Sequence, residues 1–85
     1  MIPKFQIGQK IFEIIKEDGL LIPRAIKIEQ IKITQTNVGY SEQYCEWLPE
    51  SNAFATFEEA SAYCINTLIE RLEIIKKKLM EPKNE

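Results

Sequence analysis

The sequence predicts an α+β fold: about four short antiparallel strands followed by one long C-terminal α-helix. Three observations carry this. Thr56-Phe57-Glu58-Glu59 has the T-x-x-E spacing of a capping box and opens a run of three- and four-residue apolar repeats. Upstream of Thr56 the apolar residues come instead in short β-branched and aromatic runs. Turn chemistry separates those runs at Gly8, Asp18-Gly19, Gln35-Thr36-Asn37-Val38-Gly39 and Pro49-Glu50-Ser51-Asn52. Two arrangements satisfy the pattern. One is a small SH3-like barrel with the helix on its open side, and the other is a twisted β-meander with the helix across one face.

The first strand is expected over Lys10–Lys16, where apolar groups occupy both faces, so its inward face stays open. Phe5 and Ile7 are expected to anchor the lead-in to the core. Glu17-Asp18-Gly19 turns the chain, the Asp-Gly pair suiting left-handed backbone. Leu20-Leu21-Ile22 is extended before Pro23 and is expected to cover an open edge.

The second strand is expected over Arg24–Thr34. Its two isoleucine pairs, Ile26/Ile28 and Ile31/Ile33, differ in parity. A regular strand would put one pair on the wrong face, so the sequence predicts a bulge or sharp bend near Glu29-Gln30. A third strand is expected over Tyr40–Leu48, with Tyr40, Glu42, Tyr44, Glu46 and Leu48 sharing a face. Ala53-Phe54-Ala55 is a short last strand leading into Thr56.

In the helix, Phe57, Ala60, Cys64, Ile65, Leu68, Leu72, Ile75 and Leu79 form one stripe at about 100° per residue. Glu58 and Glu59 at its start and Lys76, Lys77 and Lys78 near its end match the macrodipole. Glu73 and Lys77 are spaced for an i,i+4 pair. Pro82 ends the helix. The chain is one domain: a strand-rich part over 5–55, a helix over 57–80 and a polar, fraying tail over 81–85.

Two frames carry a resemblance. Phe5-Gln6-Ile7-Gly8-Gln9-Lys10-Ile11 resembles the "F-x-I-G-D-x-V" strand that opens small proteins of phages and mobile elements in low-GC bacteria. Phe54-Ala55-Thr56-Phe57-Glu58-Glu59-Ala60 is similar to the "F-A-T-x-E-E-A" frame that opens their terminal helix. Gln9 stands where that group has Asp, and the helix here is longer. The resemblance covers the ends of the chain better than its middle. It implies an SH3-like fold, and it implies no activity and no functional residue.

Composition narrows the function classes. The 85 residues include no His, which removes the commonest general base and metal ligand. Cys45 and Cys64 therefore lack a His to activate a thiolate, and two isolated cysteines fall short of a four-ligand zinc site. They read as reduced, buried side chains, with a disulfide between them left open by the sequence. Asp18 is the only Asp and sits in a turn. Phosphate-binding glycine motifs are absent. The expectation is a protein that is not an enzyme and needs no cofactor or metal. No apolar run approaches a membrane span. Met1-Ile2-Pro3-Lys4 lacks a signal-peptide apolar region, so the expected compartment is the cytoplasm.

Three interaction surfaces are expected. Residues 41–60 carry Glu42, Glu46, Glu50, Glu58 and Glu59 with no Lys or Arg. There, Tyr40, Glu42, Tyr44 and Glu46 form a candidate face for a basic protein partner, through cation–π and charge-assisted contacts. Trp47 and one tyrosine are expected to serve the core. The alternative is an accessory protein that binds nucleic acid through Lys10, Arg24, Lys27 and Lys32 on the N-terminal strands.

The third surface follows from length. A helix over 57–80 is roughly 36 Å long, whereas a domain of the remaining residues is about 26 Å across. The last turns are expected to project, offering Leu72, Ile75 and Leu79 to a second copy or another helix unless the N-terminal segment folds back over them. The reading is a non-catalytic interaction module that resembles phage or mobile-element proteins.

Overall fold

A computed structural model describes residues 2–43 and 46–81. It is α+β: five strands in two antiparallel sheets, followed by one long helix. The strands are β1 (Lys10–Glu17), β2 (Leu20–Lys27), β3 (Gln30–Ile33), β4 (Val38–Ser41) and β5 (Leu48–Pro49), and the helix is α1 (Phe57–Met80). β1 and β2 form one sheet, and β3, β4 and β5 the other, in that order. The sheets do not close into a barrel.

The β1–β2 hairpin turns on Asp18 and Gly19, with φ of 51° and 80°. Two successive positive-φ residues give the turn whose twist matches the flanking strands. The pairing runs from Glu17 opposite Leu20 to Lys10 opposite Lys27. Leu20-Leu21-Ile22 is therefore the start of β2 and not a separate edge cover. Pro23 sits inside β2 opposite Ile14, where alternation of the ladder aims its nitrogen at the free edge, so no hydrogen bond is lost.

The expected bend is present between β2 and β3. The Ile28 N–H donates to the Gln9 carbonyl at 2.9 Å, extending the pairing with the first strand. The next N–H, of Glu29, donates to the Ser41 carbonyl at 2.9 Å, in the second sheet. The strand thus changes partners within one peptide. This resolves the parity conflict for three of the four isoleucines: Ile26 and Ile28 stay buried and Ile31 packs half-buried against the same cluster. Ile33 and Ile7 are exposed, against the expectation for both. Gly8, at φ 90°, turns the chain there and leaves Phe5 to enter the core alone.

The third expected strand is shorter than the alternation implied. β4 ends at Ser41, and pairing resumes only at Leu48–Pro49, opposite Tyr40 and Gly39. Tyr44 and Cys45 lie outside the described residues. The last expected strand reduces to one bridge: Phe54 and Phe12 exchange both backbone hydrogen bonds, at 2.8 and 2.9 Å. That bridge occupies the side of β1 that faces away from β2.

The two faces of β1 serve different neighbours, which is why its apolar groups lie on both. Ile11 and Ile26 join Phe5, Ile28, Val38 and Tyr40 in the main core. On the opposite face Phe12 packs edge-on against Phe57 of α1, with centroids 5.9 Å apart.

α1 begins as the sequence predicts. The Thr56 hydroxyl accepts from the Glu59 N–H at 3.1 Å. The Glu59 carboxylate reaches back to the Ala55 N–H at 3.3 Å, one residue earlier than in the expected reciprocal box. The Glu73–Lys77 ion pair is not formed. Thr56→Ala is expected to destabilise the domain by about 1 kcal/mol, the usual cost of an N-cap lost to alanine. Urea denaturation followed by circular dichroism checks this, and an unchanged midpoint would show the cap to be idle.

Candidate interaction surface

The molecule is long and thin, measuring 57 × 26 × 21 Å. Its radius of gyration is 17.1 Å, against about 12 Å for a compact chain of this size. The cause is α1, whose contacts with the sheets are mainly with β1 and β2. Within α1 only Ala60 and Cys64 are buried, with Ser61 and Thr67 half-buried. Every residue from Leu68 to Met80 is exposed. The last three turns project beyond the strands, as their length predicts.

The described N-terminal residues, 2–5, do not cover them. Phe5 is held at the opposite side of the hairpin, in the main core, with its ring edge-on to Tyr40 at 5.5 Å. Its N–H donates to the Tyr40 hydroxyl at 3.2 Å. That hydroxyl donates to Glu50, whose same oxygen accepts from the Lys4 N–H at 3.0 Å. Ile2 is exposed. The fold-back expected as the alternative cover is therefore replaced by a clamp on residues 4 and 5.

The clamp sets two protonation equilibria. Burial, and next the bond to Glu50, raise the Tyr40 phenol above its ordinary value of 10.0. The Lys4 N–H, and next the Tyr40 hydroxyl, hold the Glu50 carboxyl below its ordinary 4.5. A depressed carboxylate contributes stability that is present above the unfolded value and lost as pH falls through the native one. Wild type is thus expected to lose stability on acidification below about pH 4.5. Glu50→Gln should flatten that dependence in paired urea melts at pH 6 and pH 3, and identical slopes would remove Glu50 from the acid response.

The apolar stripe read from the sequence contains two faces. Ala60, Cys64 and Thr67 lie toward the hairpin. Ile65, Leu68, Leu72, Ile75 and Leu79 recur at alternating steps of three and four and are between 41% and 81% exposed. At 100° per residue their mean direction lies roughly 90° around the helix from the hairpin-facing one. Strict 3-4 spacing is the narrow seam of a helix pair, whereas a core-facing helix needs a broader stripe. That spacing is the signal in the sequence that separates Ile65 and Leu68 from the hairpin-facing Ala60 and Cys64.

The other candidate surfaces fare differently. Tyr40 is fully buried and cannot meet a partner. Glu42 is half-buried and accepts the Lys27 N–H at 3.0 Å. Glu46 is exposed, and Tyr44 lies outside the described residues. The expected shared face does not form, because β4 ends before Glu42 and alternation has no strand to run on.

Of the basic set, Lys10 and Lys27 face each other across the hairpin ladder. Arg24, three residues before Lys27, points to the other face and pairs with Glu13 at 3.3 Å. Lys32 lies in the second sheet, its ammonium 5.9 Å from the Trp47 ring. These four do not share a face. Trp47 is exposed over Gly39, at the rim of a cleft of about 290 Å³, and not in the core as expected.

A second cleft of about 280 Å³ lies between the hairpin and α1, lined by Ile14, Leu21, Leu48, Ser51, Asn52, Phe54 and Tyr63. Among the described residues that line it there is no carboxylate, amine or thiol. Cys64 is a free, buried thiol, and Cys45 lies outside the described residues. No helix among the described residues is long and apolar enough to cross a membrane. Comparison of the chain with protein-family models, with curated proteins and with solved structures finds no match.

Proposed function

We propose that this chain is a non-catalytic interaction module, in which the strands hold a helix whose projecting end engages a protein partner. The observation that carries the reading is the exposed seam of Leu68, Leu72, Ile75 and Leu79 on turns that no strand covers. A contiguous apolar strip of this kind on a small protein marks a contact surface, because leaving it in water is unfavourable. The rest of the molecule is suited to presentation: the capped first turns fix the helix on the hairpin, and the last turns are free on all sides. A strand bent between two sheets is the feature in favour of an SH3-like plan. With the two terminal frames, that plan supports a place among small cytoplasmic proteins resembling those of phages and mobile elements.

The test is a variant carrying both Leu72→Asp and Ile75→Asp. Both side chains are exposed, so the thermal midpoint should stay close to wild type. Tagged wild type should capture a specific protein from its native cells after nuclease treatment, and the variant should not. Equal capture by the two proteins, or loss of capture on nuclease treatment, would overturn the reading.

A further inference from the structure

The chemistry of the partner can be read from the flanks of the seam. With Ile65, Leu72 and Leu79 as one set of knobs and Leu68 and Ile75 as the other, the flanking positions are Ile69 and Lys76 on one side. On the other they are Cys64, Arg71 and Lys78. Every charged flank beside the exposed seam is cationic. The glutamates of these turns, Glu70 and Glu73, lie on the far side of the helix. Arg71, Lys76 and Lys78 are exposed, and none has an ion-pair partner among the described residues.

Flanking charges choose the partner of a paired helix. We infer that the projecting end of α1 is built for a helix of another protein, one with an apolar 3-4 seam flanked by glutamate or aspartate. This rests on the interaction-module reading and deepens it. A second copy fits the seam but not the flanks. In-register parallel pairing sets Arg71 of one copy beside Lys76 of the other, and antiparallel pairing sets Arg71 beside Lys78. Either arrangement juxtaposes like charges without relief from any glutamate.

An anionic membrane is a poorer fit. A helix lying in a lipid interface has a broad apolar face and concentrates its cations on the polar one. Here Glu70 and Glu73 lie on the polar face, with exposed Ile74 among them; Arg71, Lys76 and Lys78 border the seam, which exposed Ile69 and Met80 extend on one side, and the seam has no aromatic anchor.

The experiment uses the full chain and two synthetic peptides with identical leucine seams. One has glutamate at every flanking position and the other lysine. The glutamate peptide should bind one-to-one, at least about tenfold more tightly than the lysine peptide, or about 1.4 kcal/mol. The gap should narrow with added salt. The combined variant Arg71→Glu, Lys76→Glu, Lys78→Glu alters only exposed side chains and should invert the preference.

Equal affinity for the two peptides, or a preference the charge-reversed variant keeps, would overturn the inference. So would sedimentation as a dimer that excludes both peptides, or binding to phosphatidylserine vesicles that the glutamate peptide cannot displace. If the peptides fail while seam-dependent capture from cells persists, the partner chemistry is wrong and the module reading survives. If neither experiment depends on the seam, both fall.

Discussion

Tyr40→Ala is expected to remove a large part of the stability of this domain. Tyr40 is fully buried, packs edge-on against Phe5, and sits in the one cluster that joins the two sheets. Cutting a buried aromatic to alanine costs about 3–5 kcal/mol, the lost transfer energy plus the cavity left behind. A chain of this size has roughly 4–13 kcal/mol in all. The loss has a second part, because the phenol holds the N-terminal segment. Without it the Phe5 N–H and the Glu50 carboxylate lose a shared partner. Tyr40→Phe isolates that part and should cost about 1–2 kcal/mol, the range for a buried hydrogen bond with its partner stranded. Urea denaturation of the three proteins checks both values. A Tyr40→Ala protein that melts with wild type would mean that Tyr40 is not core.

The second large effect is a contrast between two alanine substitutions. Ile28→Ala should cost about 2–5 kcal/mol, because Ile28 is fully buried at the residue where the strand passes from one sheet to the other. Leu72→Ala should stay within about 0.5 kcal/mol of wild type, because Leu72 touches water on the projecting helix. Similar losses at both sites would place the end of α1 in the core and remove the proposed surface.

Much of this architecture is legible residue by residue. Thr56 and Glu59 mark the helix start because a cap is a local hydrogen-bonding pattern. Asp18-Gly19 marks the hairpin because only such residues hold two positive φ angles cheaply. The parity clash between Ile26/Ile28 and Ile31/Ile33 marks the bend because strand alternation is rigid. The strand expected over Tyr40–Leu48 stops at Ser41 for the complementary reason. Alternation of polar and apolar residues describes a strand only where a ladder partner exists, and the chain leaves the ladder after Ser41.

The candidate site divides the same way. That the helix overhangs was a matter of length, and its seam is written in the 3-4 spacing of Ile65 to Leu79. Glu50 gave no local signal, since its role depends on Tyr40 and on Lys4, 46 positions away. The acidic tyrosine face and the four-residue basic set looked coherent only while strand pairing was unknown.

The sequence by itself therefore determined the elements: where the helix starts and ends, where the hairpin turns, and that one strand must bend. These follow from backbone conformation and hydrogen bonding over a few residues. Tertiary structure alone decided which side of each element is buried. The helix docks through its small residues Ala60 and Cys64, which allow close approach to the hairpin, and so leaves its larger leucines and isoleucines facing water. Hydrophobicity orders residues by their tendency to leave water, but only the positions of the neighbouring strands determine which of them can.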